Sequence, residues 1–187
     1  MKIKDMNVLI TGGASGIGKI MGRMALEKGA KSLIIWDVNQ EALEATVAEF
    51  SARGCAHNRV YIYKVDITNS ELVAQTYQQI KQEVGPVDIL INCAGIVRGN
   101  KTFDQQTVQD IRLTFEVNTI APMVIAQQIL PDMIRRNRGH VCNIASAGGG
   151  KTSGAGTNGH PAALFPRTNS GTGRKSHVCQ SGAGIKN

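Results

Sequence analysis

Short apolar runs alternate with longer segments in which apolar residues recur every three or four positions, and this alternation continues to about residue 145. The runs have the length of buried strands, and the longer segments have the spacing of helices with one buried face. The predicted strands are residues 6–10, 32–36, 59–65, 87–92 and 140–145. The predicted helices are residues 16–28, 40–52, 70–84 and, with one break, 104–136. This order predicts an α/β fold with a doubly wound parallel sheet and helices on both faces.

The first predicted helix carries an apolar stripe with helical spacing, made of Ile17, Ile20, Met21, Met24 and Ala25. We expect this stripe to lie on the sheet, where a helix of an α/β fold buries its apolar face. Gly29 is placed to end the helix. In the last helical region, Pro122 and Pro131 leave the helix boundaries open.

A glycine-rich segment, Thr-Gly-Gly-Ala-Ser-Gly-Ile-Gly at residues 11–18, connects the first strand to the first helix. Glycine tolerates positive φ, and without side chains phosphate oxygens can approach the main-chain N–H groups. The start of the helix adds unpaired N–H donors and the positive end of its dipole. The segment therefore predicts a site for a nucleotide pyrophosphate. A tight turn that binds no ligand is the alternative interpretation.

Asp37 ends the second predicted strand, 19 residues after Gly18. An acidic residue about 20 residues after the last glycine is typical of the group that binds the adenosine ribose hydroxyls of a dinucleotide. A carboxylate there also repels a 2′-phosphate, which favours NAD over NADP. The alternative is that Asp37 forms a turn or caps the following helix.

Polar or small residues follow every predicted strand. Because the carboxyl ends of parallel strands meet at one edge of a sheet, ligands of such folds bind there. The segments that reach this edge are Thr11–Gly18, Asp37, Asp66, Asn92–Gly95 and Ser146.

Charge and composition divide the chain at about residue 149. Residues 150–187 contain eight of the 21 glycines, five of the 21 basic residues and none of the 14 acidic residues. The net charge of +7 therefore falls to about +2 for residues 1–149. We predict one domain over residues 1–149, followed by a basic, glycine-rich tail at 150–187 that is disordered or irregular.

Several classes of protein are disfavoured by the sequence. No apolar run reaches the ~18 residues of a membrane span, and the first strand begins too early for a secretory signal. The four cysteines and four histidines lack metal-ligand spacing, so we expect no metal site, reduced thiols and a cytoplasmic protein. Aromatic residues make up 4% of the chain, which argues against specific nucleic-acid binding. Polyanion binding through the tail is the weakest alternative.

Together these motifs resemble the short-chain dehydrogenase/reductase family, and the resemblance covers about residues 5–149. It rests on six segments in the family's order and spacing. They are the residues 11–18 motif, Asp37, Val65-Asp66-Ile67, Asn92-Cys93-Ala94-Gly95, Asn118 and Asn143-Ile144-Ala145-Ser146. The family implies a Rossmann-type fold, a nicotinamide dinucleotide and an alcohol or ketone substrate, with a retinoid or steroid among the candidates. Its full-length members also form homo-oligomers.

The resemblance also implies roles for single residues. The pyrophosphate region is bound by Gly12, Ser15, Gly16, Ile17 and Gly18, and Asp37 binds the ribose. Asp66 and Ile67 face the adenine, while Asn92, Ala94 and Gly95 line the cofactor and support the sheet. A serine at position 15, where NADP-dependent members tend to have a basic residue, again favours NAD. In catalysis, Asn118 holds a proton-relay water and Ser146 donates a hydrogen bond to the substrate oxygen.

The family's catalytic tyrosine and lysine are missing from their expected places. The tyrosine is expected about thirteen residues after Ser146, with the lysine four residues later, but positions 159 and 163 are Gly and Ala. The last tyrosine of the chain, Tyr77, precedes Ser146. Two hypotheses follow: an NAD(H)-dependent oxidoreductase, or a catalytically impaired dinucleotide-binding fragment. The abrupt change of composition favours a truncated chain, incomplete on its C-terminal side, with a tail read in another frame.

Overall fold

The computed structural model describes residues 3–54, 59–97, 103–145 and 178–182. The strands in these ranges are β1 (Asn7–Thr11), β2 (Ser32–Asp37), β3 (Val60–Lys64), β4 (Ile89–Asn92), β5 (His140–Ala145) and β6 (Val178–Gly182). The helices are α1 (Gly16–Glu27), α2 (Gln40–Ala52), α3 (Ser70–Glu83), α4 (Val108–Phe115) and α5 (Ala121–Arg135). A short 3₁₀ turn at Phe103–Gln105 precedes α4. The predicted strands and helices up to residue 145 are confirmed, with ends that differ by at most two residues except at the start of the last helical region, where α4 begins four residues later than predicted.

The strands form one parallel sheet in the order β3-β2-β1-β4-β5-β6. The strand order therefore reverses at β1, which lies between β2 and β4. A crevice opens at such a reversal, outside the carboxyl ends of the strands. The predicted α/β class with a doubly wound parallel sheet is confirmed.

Two apolar layers, one on each face of the sheet, form the core. On one face, α1 and α2 contribute Ala25, Leu26, Leu43 and Phe50 to the layer. On the other face, α3 and α5 contribute residues such as Tyr77 and Ile129. Strands β1 and β4 are buried along their whole length and β2 is buried up to Trp36, as expected for strands covered on both faces.

Helix α1 buries only part of the predicted stripe: Ala25 is in the core layer and Met21 packs against it. Its buried residues are Gly18, Gly22, Ala25 and Leu26. Three members of the predicted stripe, Ile17, Ile20 and Met24, are 60%, 51% and 44% exposed. The reason is the close approach of the helix to the sheet: a Cβ on Gly22 would lie 3.1 Å from Leu33 Cδ2. A larger side chain at Gly22 would crowd Leu33, so the face of the helix that contains Gly18 and Gly22 lies against the sheet, and Ile17, Ile20 and Met24 lie outside the contact.

The long helical region breaks once, in a turn of π-helix at Glu116–Ile120 between α4 and α5. Pro122 lies two residues after the π-turn, and Pro131 lies inside α5. Because the backbone is already helical at Ile120 and Ala121, Pro122 cannot donate the N–H that would bond to the Asn118 carbonyl four residues earlier, which favours a break at this point. A π-turn inserts one extra residue into the helical ladder and is frequent at functional sites.

Strand β6 differs from the expectation of a tail that is disordered or irregular throughout. Val178–Gly182 pairs in parallel with β5, with Val141 opposite Val178. Strand pairing is made by main-chain groups, so an open edge can recruit a segment whose side chains show no strand pattern. The predicted irregular tail otherwise falls outside the described residues.

Candidate functional site

The turn after β1 is held by main-chain contacts that require glycine. Gly12 has a φ of +65°, and its N–H donates to the carbonyl of Trp36 at 2.7 Å. A Cβ on Gly12 would lie 2.8 Å from Ala94 Cα, and one on Gly18 would lie 2.3 Å from the Gly12 carbonyl oxygen. The turn therefore packs against the start of α1 and against the segment after β4, with no room for side chains.

Gly16 is different, because nothing lies within 4 Å of where its Cβ would be. Its φ is +49°, and both Ser15 and Gly16 are exposed. Ser15 occupies the N-cap position of α1, yet its side chain makes no capping hydrogen bond, and the first turn of α1 contains no acidic residue. The N–H groups that open α1 thus face an open space above the turn. This arrangement suits an anion.

Asp37 lies beside this turn and is partly buried. One carboxylate oxygen accepts a hydrogen bond from the Ala14 N–H at 3.2 Å, and the other accepts from the Asn39 N–H at 3.1 Å. The cap of α2 is Asn39, whose side chain accepts from the Ala42 N–H. Asp37 therefore forms a local turn without capping α2. Each of its oxygens accepts one of these hydrogen bonds and can accept another.

Asp66 and Ile67 follow β3 and point in different directions. Asp66 is exposed, and its Oδ1 accepts from the N–H and hydroxyl of Thr68. Ile67 is 7% exposed and packs in the core layer of α3 and α5. The Val65 N–H donates to the carbonyl of Asp37 at 2.9 Å, so the end of β3 lies beside the end of β2.

The segment after β4 is tied to β1. Thr11 Oγ1 accepts from the N–H groups of Cys93 and Ala94 at 3.1 and 3.2 Å. Cys93 and Cys142 pack against the core, and burial raises the pKa of the Cys93 thiol. A thiol with a raised pKa is a poor nucleophile at neutral pH.

Asn118 lies in the π-turn and pairs with the same segment. Its Oδ1 accepts from the Ile96 N–H, and its Nδ2 donates to the Ile96 carbonyl, both at 2.8 Å. This two-bond contact holds the segment after β4 against the break between α4 and α5. A Cβ on Gly95 would lie 3.5 Å from Asn118 Oδ1.

The structure thus places most of the predicted site residues at one edge of the sheet. Those around the crevice are Gly12, Ser15, Gly16, Gly18, Asp37, Asn92, Ala94, Gly95 and Asn118. Ile17 is exposed at the start of α1, and Asp66 is exposed after β3. Ser146 lies outside the described residues, as do positions 159 and 163, so their predicted roles stay predictions.

The chain does contain one Tyr-x-x-x-Lys spacing, contrary to the expectation that it has none: Tyr77 and Lys81, upstream of Ser146. Both lie on α3, and the Tyr77 hydroxyl donates to Asp132 on α5 at 2.7 Å. The Lys81 ammonium lies 3.5 Å from the same carboxylate and 5.1 Å from the centre of the Tyr77 ring. Asp132 lies 14 residues after Asn118, about 20 Å along the helix axis, toward the amino edge of the sheet.

The electrostatics of Tyr77 also differ from those of a general acid or base. Burial and the hydrogen bond to Asp132 raise the pKa of the Tyr77 phenol. A catalytic phenol needs a pKa lowered toward neutrality. The same hydrogen bond lowers the pKa of Asp132. Tyr77 and Lys81 are therefore a helix–helix contact and cannot replace the missing catalytic pair.

Among the described residues, no group of three or more His, Cys, Asp or Glu side chains could hold a metal ion. No helix in the described part of the chain is long and apolar enough to cross a membrane.

Comparisons with known proteins agree on one family. A family model described as short chain dehydrogenase matches residues 6–160. Estradiol 17-beta-dehydrogenase 11 of Macaca fascicularis is 39% identical over 142 residues, which cover 76% of this chain and 46% of that protein. The 17-beta-hydroxysteroid dehydrogenase 13 of Homo sapiens is 36% identical over 142 residues, which again cover 76% of this chain and 46% of that protein. The chain thus spans about half the length of the curated relatives it matches.

Solved structures give the same result. A short-chain type dehydrogenase/reductase from Mycobacterium ulcerans has a TM-score of 0.71 at 27% identity, covering 78% of this chain and 53% of that one. The serine dehydrogenase of Escherichia coli has a TM-score of 0.68 at 27% identity, covering 76% and 63%. A metagenomic short-chain oxidoreductase in complex with NADP, at 24% identity and a TM-score of 0.73, covers 84% and 69% and shares the fold.

Proposed function

The chain belongs to the short-chain dehydrogenase family, and we propose that residues 3–145 form the dinucleotide-binding half of an NAD(H)-dependent oxidoreductase. The reaction would transfer a hydride between the nicotinamide and a secondary alcohol or ketone. Family members bind NAD or NADP in general. That this chain prefers NAD, acts on such a substrate and turns it over is part of what we propose.

The observation that carries the proposal is the open start of α1. The turn is packed too tightly for any side chain at Gly12 and Gly18, yet space is left at Gly16. The N–H groups beyond Ser15 have no side-chain cap and no acidic neighbour in the first turn. A pyrophosphate would supply the missing acceptors and the negative charge that the helix dipole favours. The residues present therefore fit a dinucleotide.

Asp37 supports NAD as the preferred form. Its carboxylate is fixed by the N–H groups of Ala14 and Asn39, which leaves its remaining acceptor positions for the hydroxyls of a ribose. A 2′-phosphate would place a second negative charge against it, with Ser15 offering no compensating positive charge.

Bound NAD supplies the chemistry of hydride transfer. The chain's own part is to hold the segment after β4 in place, through Thr11 on one side and Asn118 on the other. Because the Asn118 amide is bound to the Ile96 main chain, we infer that it acts by positioning this segment. Ser146 would donate a hydrogen bond to the substrate oxygen.

A retinoid or steroid alcohol is the substrate class we favour. The support is the names of the relatives, which include an estradiol 17-beta-dehydrogenase and a 17-beta-hydroxysteroid dehydrogenase. A cytoplasmic location and a homo-oligomeric full-length form stay predictions of the sequence.

Binding without turnover is the second candidate function. It is favoured by Gly and Ala at positions 159 and 163 and by the engagement of the Tyr77 hydroxyl with Asp132. Loss of a general acid or base typically lowers the rate by ~10²–10⁴. Steady-state assays with NAD and steroid or retinoid alcohols separate the two functions. Turnover that depends on Ser146 supports the oxidoreductase, and tight NADH binding without turnover supports the binding protein.

Titration of the full chain with NADH, followed by its fluorescence, tests the shared claim. We expect saturable binding that is at least about tenfold tighter than the binding of NADPH, the size of a close like-charge penalty of about 1.4 kcal/mol. Replacement Asp37→Ala should remove most of this preference, whereas Asp37→Asn, which keeps one oxygen acceptor, should lose the charge discrimination but bind NADH better than Asp37→Ala. Failure of the folded wild-type chain to bind either nucleotide would reject both functions.

A further inference from the structure

Five basic side chains form one surface at the amino edge of the sheet, which we call the basic patch. They are Lys4, Lys28, Lys31, Arg135 and Arg138, and all five are exposed. They come from the residues before β1, the turn between α1 and β2, and the end of α5 with the turn that follows it. Helices that connect parallel strands run back along the sheet, so their last turns meet the first residues of the strands at this edge.

Hydrogen bonds join these segments into one surface. The Asp5 N–H donates to the Gly29 carbonyl, and the Lys31 N–H donates to the Met6 carbonyl, both at 2.9 Å. Arg138 Nη2 donates to the Asp5 carbonyl oxygen at 3.1 Å. The basic patch is therefore continuous, and the backbone that carries it is held in place.

Pairing within the fold accounts for only part of this charge. The two arginines pair with buried carboxylates near the end of α5, where cations also offset the helix dipole, but their side chains remain 75% and 47% exposed. The three lysines form no ion pair within the described part of the chain. Two of them, Lys4 and Lys31, also lie outside any helix. Asp5 is an exposed acidic residue among them, so the basic patch keeps an excess of positive charge.

An apolar side chain stands beside these charges. Ile134, next to Arg135, is 74% exposed, the largest fraction for a large apolar residue in the described ranges. One turn earlier on α5, Leu130 and Pro131 are also exposed. An apolar group flanked by cations fits the surface of a bilayer, where the side chain enters the headgroup region and the cations meet anionic lipid. Nucleic acid would contact the cations through its phosphates and leave Ile134 without a role.

The opposite edge of the sheet carries exposed carboxylates around the crevice. They follow a strand or lie at the start of a helical segment, at Glu41, Asp66, Glu71 and Asp104. An anionic bilayer attracts the amino edge and repels these groups. We propose that the basic patch and Ile134 dock the domain on an anionic lipid bilayer. The crevice then faces water, so docking leaves the nucleotide site open.

Co-sedimentation of the full chain with lipid vesicles tests the docking. Vesicles of phosphatidylcholine mixed with phosphatidylserine supply the anionic surface, and vesicles of phosphatidylcholine alone are the neutral match. We expect binding to the mixed vesicles that weakens as salt is added, because salt screens the attraction. Equal binding to both kinds of vesicle, or no binding to the mixed ones, would overturn the proposal.

Two charge variants separate the basic patch from the net charge of the chain. Lys31→Glu and Lys64→Glu change the net charge equally, but Lys64 is exposed at the carboxyl end of β3. Lys31→Glu should weaken binding to the mixed vesicles at least about tenfold, and Lys64→Glu less than about threefold. Equal losses would mean that net charge alone, including that of the basic tail at 150–187, drives the binding, and would overturn the proposal.

Two serine variants test the apolar contact in the same way. Ile134 and Met123 are both exposed on α5, but Met123 lies at the opposite end of the helix. Ile134→Ser should weaken binding to the mixed vesicles at least about threefold, whereas Met123→Ser should leave it unchanged. Duplex DNA that competes fully with the vesicles, together with no effect of Ile134→Ser, would assign the basic patch to nucleic acid and reject the bilayer.

Amide hydrogen exchange of the wild-type chain gives a measurement without variants. Mixed vesicles should slow exchange in residues 28–31 and 134–138 more than in residues 12–18. The reverse order would contradict docking through the amino edge. The Kd for NADH should stay within about twofold when vesicles are present. Only this last measurement rests on the proposed function, so a chain that binds vesicles but not NADH rejects the proposed function and keeps the docking surface.

Discussion

The two edges of the sheet differ in how their polar groups are paired. At the amino edge, the buried Asp88 carboxylate accepts from the Asn7 N–H at 3.0 Å and pairs with Arg136 and Arg138 at 2.6 and 3.1 Å. Asn7 Oδ1 and Arg136 Nε are single unpaired atoms in this network. At the carboxyl edge, the whole start of α1 lacks a side-chain cap, and the space over Gly16 is open.

The difference indicates what each edge is for. Paired charges at the amino edge connect β1, β4 and the turn before β5, so they hold the sheet together. At the carboxyl edge, the exposed N–H groups that open α1 have no side-chain acceptor in the first turn of the helix. The binding of an anion to these groups is therefore favourable. Replacement of the paired residues at the amino edge should therefore lower stability, and replacement of residues at the carboxyl edge should lower nucleotide binding.

Replacement of Asp88 is the largest test on the stability side. Asp88→Ala leaves the mostly buried Arg136 guanidinium and the Asn7 N–H without their acceptor, and we expect a loss of about 3 kcal/mol in the free energy of unfolding. Urea unfolding measures this change. Asp88→Asn keeps an acceptor and should lose less. The Kd for NADH of the folded variant should stay within about twofold, and a large change in that Kd would break the division between the edges.

Two glycine variants sharpen the comparison within the turn. Gly18→Ala places a Cβ 2.3 Å from the Gly12 carbonyl oxygen, and we expect a loss of stability of about 2–3 kcal/mol. Gly16→Ala meets no atom and carries only the strain of its positive φ, about 1 kcal/mol. The two variants should rank in the opposite order for NADH binding. When they are compared at equal folded fraction, Gly16→Ala should weaken NADH binding because its Cβ enters the open space. Unchanged NADH affinity in Gly16→Ala would contradict a pyrophosphate at this position.

Tyr77→Phe should have the smallest effect on the free energy of unfolding, and this effect should depend on pH. It removes the buried hydrogen bond to Asp132, and we expect a loss of about 1 kcal/mol at neutral pH. That hydrogen bond is the main cause of the lowered pKa of Asp132. A lowered pKa stabilises the fold above the unfolded value of about 3.9, and this stabilisation disappears as the pH falls through the folded value.

Urea unfolding of wild type and Tyr77→Phe between pH 3 and 7 checks this sign. The difference between the two proteins should shrink below about pH 4. A constant difference across the range would show that Asp132 does not depend on Tyr77. The Kd for NADH should be unaffected, because Tyr77 and Asp132 lie away from the crevice.

The order of the elements could be predicted from the sequence because each strand is a nearly continuous apolar run and each helix has a clear period. The glycine-rich turn and Asp37 could be located for the same reason: their spacing depends on the local chain alone. Helix α1 shows the limit of prediction from the local pattern. Its stripe of Ile17, Ile20 and Met24 has the right period, yet the contact distance to Leu33 selects the glycine face.

The rest of the site depends on contacts between distant residues, which no local pattern reports. The hydrogen bond between Asn92 and Asn143 joins residues 51 positions apart, and the contact between Ile96 and Asn118 in the π-turn joins residues 22 apart. Tyr77 and Lys81 show the converse. Their spacing matches a catalytic motif, but α3 places them against Asp132 and away from the crevice.

The most direct test of the account is to map NADH binding onto the two edges by the amide chemical shifts of the labelled chain. We predict that the largest shifts fall in residues 12–18 and 93–96 and at Asp37, and that residues around Asp88 and Arg136 barely move. Shifts concentrated at the amino edge, or none in a folded chain saturated with NADH, would contradict the assignment of the carboxyl edge as the dinucleotide site.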